Sequence, residues 1–163
     1  MIIGIDLDGV IFNSRAPRLI FFLSKKINLS LLFSFFSRIN FFRKNFYNRA
    51  IEVNQNMAWV MRKCKNKGWR VVIISGHPSS GRKEIKSWLK KYNIPYDKLC
   101  LSPNGRKPKR FKWRKILEYG CDFFIDDNWD IVKYLRKKLR HICIVYYEGY
   151  QELVSLTDKG DVV

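Results

Sequence analysis

The feature that most constrains the fold is a rhythm of short apolar runs separated by stretches of helical period. The runs fall at residues 2–5 (IIGI), 70–74 (RVVII), 99–101 (LCL), 122–125 (DFFI) and 142–147 (ICIVYY), each bounded by polar or turn-forming residues. Between them, residues 55–67, 81–92 (GRKEIKSWLKKY), 109–119 (KRFKWRKILEY) and 129–139 (WDIVKYLRKKL) place apolar side chains three and four positions apart, the spacing of one helix face. Alternation of strand and helix predicts a parallel sheet joined by right-handed crossovers, because parallel neighbours need a long connection that a helix supplies. The expected class is α/β, a Rossmann-like three-layer sandwich with a five-stranded parallel sheet.

Residues 15–54 break the rhythm. The segment is rich in Phe, Asn and basic residues, and its only acid is Glu52. It reads as a small helical cap inserted after the first strand, so that residues 1–14 and 55–163 form the core and 15–54 the cap. At 163 residues the chain has the size of one domain. Apolar residues make up 47% and aromatics 15%, which excludes a disordered chain.

The chain carries 32 Lys and Arg against 14 Asp and Glu, a formal charge of +18. Such an excess predicts attraction to phosphate-bearing partners, whether nucleotides, nucleic acid or an anionic surface. Cys64, Cys100, Cys121 and Cys143 show no CxxC or Cys/His spacing, so neither a zinc site nor a disulfide framework is indicated, and reduced thiols in a cytoplasmic protein are expected. The opening MIIGIDLDGV is not a basic-then-apolar leader, and Lys25, Lys26 and Arg38 interrupt the most hydrophobic region, so no transmembrane segment is expected.

Against that charge, the few acids fall in revealing places. Asp6 and Asp8 follow the first apolar run, Ser75-Gly76-His77 the second, a Lys-rich loop from Arg106 the third, and Asp126-Asp127 the fourth. In a parallel sheet the carboxyl ends of the strands converge on one edge, where ligands bind. Crowded carboxylates cost free energy unless a cation lies among them. Four acids, a hydroxyl, backbone amides and a lysine together describe a site for a hard cation and a phosphate.

These residues carry a resemblance to the haloacid dehalogenase (HAD) superfamily of phosphohydrolases. Its first motif, an apolar strand leading into Asp-x-Asp-Gly, is matched by Ile5-Asp6-Leu7-Asp8-Gly9-Val10, its second by Val71-Val72-Ile73-Ile74-Ser75-Gly76, and its fourth by Phe123-Phe124-Ile125-Asp126-Asp127-Asn128. The stretch SGRKEIKSWLKKYNIPYDKLCLSP also looks like the subgroup of cytosolic deoxynucleotidases and polynucleotide-end phosphatases. The resemblance implies a phosphomonoesterase that uses Mg²⁺ and an aspartyl-phosphate, with Asp6 as nucleophile and Asp8 as general acid and base. It implies that Asp6, Asp8 through its backbone carbonyl, Asp126 and Asp127 serve the metal, and that Ser75 and Gly76 bind phosphoryl oxygens. For the third-motif lysine, Lys107 before Pro108 matches the Lys-Pro of many relatives and is the first choice; Lys112 is second and Lys115 third. The implied substrate is a phosphorylated nucleotide or nucleic-acid end.

Other readings stay open from sequence. Taken alone, Asp126-Asp127 is also a cap for the helix from Trp129, and Ser75-Gly76 an ordinary turn. His77 either touches substrate or faces solvent, and His141 reads as structural. The Phe residues of the insertion, at 21, 22, 33, 35, 36, 41, 42 and 46, form a hairpin core or a stacking platform, and Arg15, Arg18, Arg38, Arg43, Lys44 and Arg49 steer a polyanion or are simply solvated. The alternative function is a non-catalytic module of the same fold that binds nucleic acid or an anionic membrane surface.

Overall fold

A computed structural model describes residues 1–13, 52–103 and 107–148. Its centre is a five-stranded sheet of β1 (Ile2–Ile5), β4 (Arg70–Pro78), β5 (Lys98–Ser102), β6 (Phe123–Asp126) and β7 (Cys143–Tyr146), in the order β5-β4-β1-β6-β7. All four pairings are parallel. The helices are α1 (Gln55–Asn66), α2 (Arg82–Lys91), α3 (Pro108–Tyr119) and α4 (Trp129–Lys138), with a 3₁₀ turn at Ser79–Gly81. The predicted α/β sandwich is thus observed, and each strand and helix expected of the core has a counterpart.

The layers follow from the period-two alternation of the central strands. Val71 and Ile73 of β4, with Ile3 and Ile5 of β1, pack in one cluster with Met57, Val60, Met61 of α1 and Ile85, Trp88, Leu89 of α2. Val72 and Ile74 point the other way, into a cluster with Ile116 of α3 and Ile131, Val132 and Leu135 of α4. A strand buried on both faces must be apolar throughout, which is why these segments read as continuous hydrophobic runs rather than alternating ones.

The predicted cap, residues 15–54, lies outside the described residues except for 52–54. A short antiparallel ribbon pairs β2 (Phe12–Asn13) with β3 (Glu52–Val53), so Asn13 and Glu52 stand side by side. Phe12 is buried edge-on against Trp88, with ring centroids 4.2 Å apart, a contact worth about 0.5–1.5 kcal/mol beyond its area. Asn54 then joins three elements: its Oδ1 accepts from the Met57 amide to cap α1, and its Nδ2 donates to the Val10 carbonyl at 2.8 Å and to the Tyr147 hydroxyl. The loop bearing the first two acids is therefore tied to α1 and to the end of β7. Among the described residues no helix is long and apolar enough to cross a membrane.

Candidate active site

The carboxyl ends of β1, β4 and β6 lie side by side in the sheet, and they bring the first, second and fourth predicted clusters to one edge. Asp6 follows β1, and its backbone amide donates to the Ile125 carbonyl at 2.9 Å, which locks it beside β6. Asp126 is the last residue of β6 and is fully buried. Ligand oxygens of Asp6, Asp126 and Asp127 all lie within 4.8 Å of one another.

A lysine balances part of this charge, and it is Lys112. Its ammonium lies 2.8 Å from Asp6 Oδ2 and 2.7 Å from Asp126 Oδ2, and the residue is 2% exposed. Lys112 and Ile116, one turn apart, are the two buried residues of α3, so the lysine occupies the helix stripe that faces the sheet. Lys107, the first choice from sequence, does not approach the acids in this way. It precedes the first turn of α3 in a left-handed conformation with φ 52° and is exposed. The Lys-Pro dipeptide marks the helix entrance, whereas the lysine that meets the acids comes more than a turn further on. Lys115 pairs with Glu118 on the surface.

One ammonium faces several carboxylates, and the electrostatics record the imbalance. Burial, only partly offset by Lys112 and reinforced by Asp126 and Asp8, pushes the Asp6 carboxyl up to about 8. Burial alone would lower the Lys112 pKa, but Asp6 and Asp126 outweigh it and hold the ammonium firmly charged. Asp6 Oδ1 is buried without a hydrogen-bond partner among the described residues. An orphaned carboxylate oxygen beside two further carboxylates is a donor set of hard oxygens, and it fits Mg²⁺ better than a thiophilic metal.

Glycine geometry holds the cluster together. A Cβ on Gly9, whose φ is +78°, would fall 1.8 Å from Asp127 Oδ2, so the carboxylate rests where only glycine leaves room. A Cβ on Gly76 would lie 2.9 Å from Pro108 Cβ, so Gly76 admits the start of α3 close to the end of β4. Ser75 is buried, and its Oγ accepts from the His77 amide at 3.1 Å. β4 runs on to Pro78, past the expected end at 74, through an irregularity between Ser75 and Pro78 that re-aims its tip.

Asp8 stands apart from the buried cluster. Its side chain is 46% exposed, and its Oδ1 lies 3.5 Å from His77 Nε2. Burial tends to lower the His77 pKa, but the neighbouring Asp8, aided by Asp6, raises it overall. The cap of α4 is Asn128, whose side chain accepts from the Ile131 amide, while Asp126 Oδ1 accepts from the Asn128 amide at 3.0 Å. The N-cap of α4 is thus Asn128 rather than either acid. His141 is exposed just before the last strand, outside the site.

No family model matches the sequence, and neither does any curated protein. Solved structures do. A chain of the Pnkp1/Rnl/Hen1 RNA repair complex is similar at 23% identity and TM-score 0.64, over 89% of this chain and 41% of that one. The present chain thus spans less than half the length of that relative. A HAD-superfamily hydrolase of subfamily IA from Geobacter sulfurreducens matches at 11% identity and TM-score 0.62, over 96% and 95% of the two chains. The D,D-heptose 1.7-bisphosphate phosphatase of B. bronchiseptica, solved with magnesium and phosphate, matches at 11% identity and TM-score 0.55, over 97% and 98%. With the strand order and the acid-bearing strand ends, these likenesses give the chain the fold of the haloacid dehalogenase superfamily hydrolases.

Proposed function

We propose that the chain is a Mg²⁺-dependent phosphomonoesterase that works through an aspartyl-phosphate on a nucleotide or nucleic-acid phosphate end. The observation that carries this reading is the buried pairing of Lys112 with Asp6 and Asp126 around an Asp6 oxygen that has no partner among the described residues. A fold alone needs no such arrangement, since buried charges cost several kcal/mol each before pairing offsets them.

Asp6, Asp126 and Asp127 would hold the metal with the backbone carbonyl of Asp8. When bound, Mg²⁺ supplies the positive charge that makes the crowded carboxylates tolerable and offsets the charge of the phosphate. Asp6 attacks phosphorus, forming one P–O bond as the bond to the leaving oxygen breaks. Asp8, accessible and next to His77, gives that oxygen its proton. Asp8 then takes a proton from water, which attacks the phosphorus of the aspartyl-phosphate, releasing inorganic phosphate and restoring the Asp6 carboxylate.

Ser75 suits the phosphoryl group because its oxygen already accepts from the His77 amide, which leaves the hydroxyl proton to donate. The Gly76 amide is assigned the same task. Lys112 fixes the orientation of Asp6 and adds a positive charge beneath the reacting group. The lysine of the third motif is accordingly Lys112 rather than Lys107.

The RNA-repair relative and the strongly basic composition support a nucleic-acid phosphate as substrate. A purely binding role for the same fold would gain nothing from this acid cluster, which repels a polyanion. The test is phosphate release with Mg²⁺ across nucleoside monophosphates, phosphate-ended oligonucleotides, sugar phosphates and an aryl phosphate. Turnover that excess EDTA stops and Mg²⁺ restores is the expected result. Turnover indifferent to EDTA contradicts the reading, as does salt-sensitive polyanion binding with no turnover of any substrate.

A further inference from the structure

We propose that Trp129 is a specificity residue, a fixed aromatic ledge on which a base of a single-stranded polynucleotide stacks while its terminal phosphate occupies the acid cluster. This rests on the phosphatase reading above and narrows its substrate to a strand end rather than a free small phosphate.

Position comes first. Trp129 opens α4 and lies three residues beyond Asp126 in sequence, so their Cα atoms are at most ~11 Å apart. Tyr146 is the β7 partner of Asp126 in register, and registered neighbours in a parallel sheet share a face. The Trp129 and Tyr146 rings meet nearly edge to face, with centroids 5.2 Å apart. The indole is thus tied to the strand pair that carries a proposed metal ligand.

Rigidity and exposure come next. Arg136 donates from Nε to the Ile144 carbonyl at 2.9 Å and lays its guanidinium 5.7 Å from the centre of the Trp129 ring. Held by Tyr146 and Arg136, the side chain has little rotamer freedom left to lose on binding, yet Trp129 is 51% exposed. An apolar ring of this size, half in water, fulfils no core role. Trp59, also exposed, sits on α1 in the opposite layer and packs with Lys63 instead.

Charge selects the occupant. α3 and α4 lie on the same face, and both begin at the edge that carries the acids. Lys107, Lys109 and Arg110 at the start of α3 and Lys133 in the second turn of α4 are exposed, against one exposed acid beside the ring, Asp130. Exposed cations on the same sheet edge as a presented aromatic ring are the elements of single-strand binding, in which bases stack and basic side chains follow the backbone phosphates.

The test is the ratio of kcat/KM for a short phosphate-ended oligothymidylate to that for an aryl phosphate, which divides out changes common to both. Trp129→Ala should lower the ratio about tenfold or more, and Trp129→Phe should largely restore it. An unchanged ratio in Trp129→Ala overturns the proposal while leaving the phosphatase reading intact, as does an enzyme that hydrolyses the aryl phosphate and no oligonucleotide. If nothing is turned over, the phosphatase reading fails, and intrinsic fluorescence of Asp6→Asn with the oligonucleotide decides the ledge separately. Quenching that disappears when Trp129→Phe is added supports it, and equal quenching in both proteins overturns it.

Discussion

Lys112 donates from Nζ to Asp126 Oδ2 at 2.7 Å, and both side chains are shielded from water. This pair joins α3 to the end of β6 and sets the direction of everything beside it, since the same ammonium also holds Asp6. The site is built on a helix and two strands, so its geometry inherits their rigidity.

Removing the ammonium should be costly in two ways. Lys112→Met leaves Asp6 and Asp126 buried without their cation, a loss of about 3–5 kcal/mol in stability. The remaining folded enzyme should lose about a hundredfold or more in kcat. Lys107→Ala, at an exposed position, should change stability by no more than about 0.5 kcal/mol and leave most of the rate. Urea denaturation and steady-state rates on the two variants check both, and the opposite ranking returns the third motif to Lys107.

Two glycines with nearly equal φ separate backbone strain from collision. At Gly68, with φ +73°, an added Cβ would meet nothing within 4 Å among the described residues, so Gly68→Ala reports the left-handed penalty, about 1–2 kcal/mol. Gly9→Ala adds the clash with Asp127. It should cost more stability than Gly68→Ala and should also weaken Mg²⁺ binding. Comparable thermal midpoints and equal Mg²⁺ affinity in the two variants would contradict the packing of Asp127 over Gly9.

How much of the fold and site is legible in the sequence depends on which physical signal each feature leaves. The five strands leave a strong one, because segments buried on both faces are apolar without interruption, and the acids at their ends stand out in a basic chain. The β2–β3 ribbon leaves none, since two-residue strands show no period. Lys112 ranks below Lys107 on sequence alone because a buried lysine looks like any other in a run of seven basic residues between 106 and 115. Its helical spacing to Ile116 is the available clue. Asn128 as the α4 cap is a local contact whose signature, Asn just before the helix, is masked by the two acids preceding it, whereas the contacts of Gly9 and Gly76 are tertiary facts with no local signature.

The raised pKa of Asp6 gives a sign to test. Its ordinary value is 3.8, and burial above all lifts it to about 8 in the folded protein. Between those values the native state keeps a proton that the unfolded chain has released, so this contribution to stability is full below about pH 4 and is lost as pH rises toward 8. A divalent cation competes with that proton. The rise in thermal midpoint on adding Mg²⁺ should therefore be larger at pH 8 than at pH 5, and should shrink in Asp6→Asn. An equal rise at both pH values would show that the ion does not bind at Asp6.

The phosphatase mechanism stands most directly on Asp6 as nucleophile. The decisive measurement is phosphate release with Mg²⁺ from the best substrate, by wild type and by Asp6→Asn, with circular dichroism confirming that both are folded. Turnover by wild type and none above background by Asp6→Asn is the expected result. Substantial turnover by the variant would contradict the assignment.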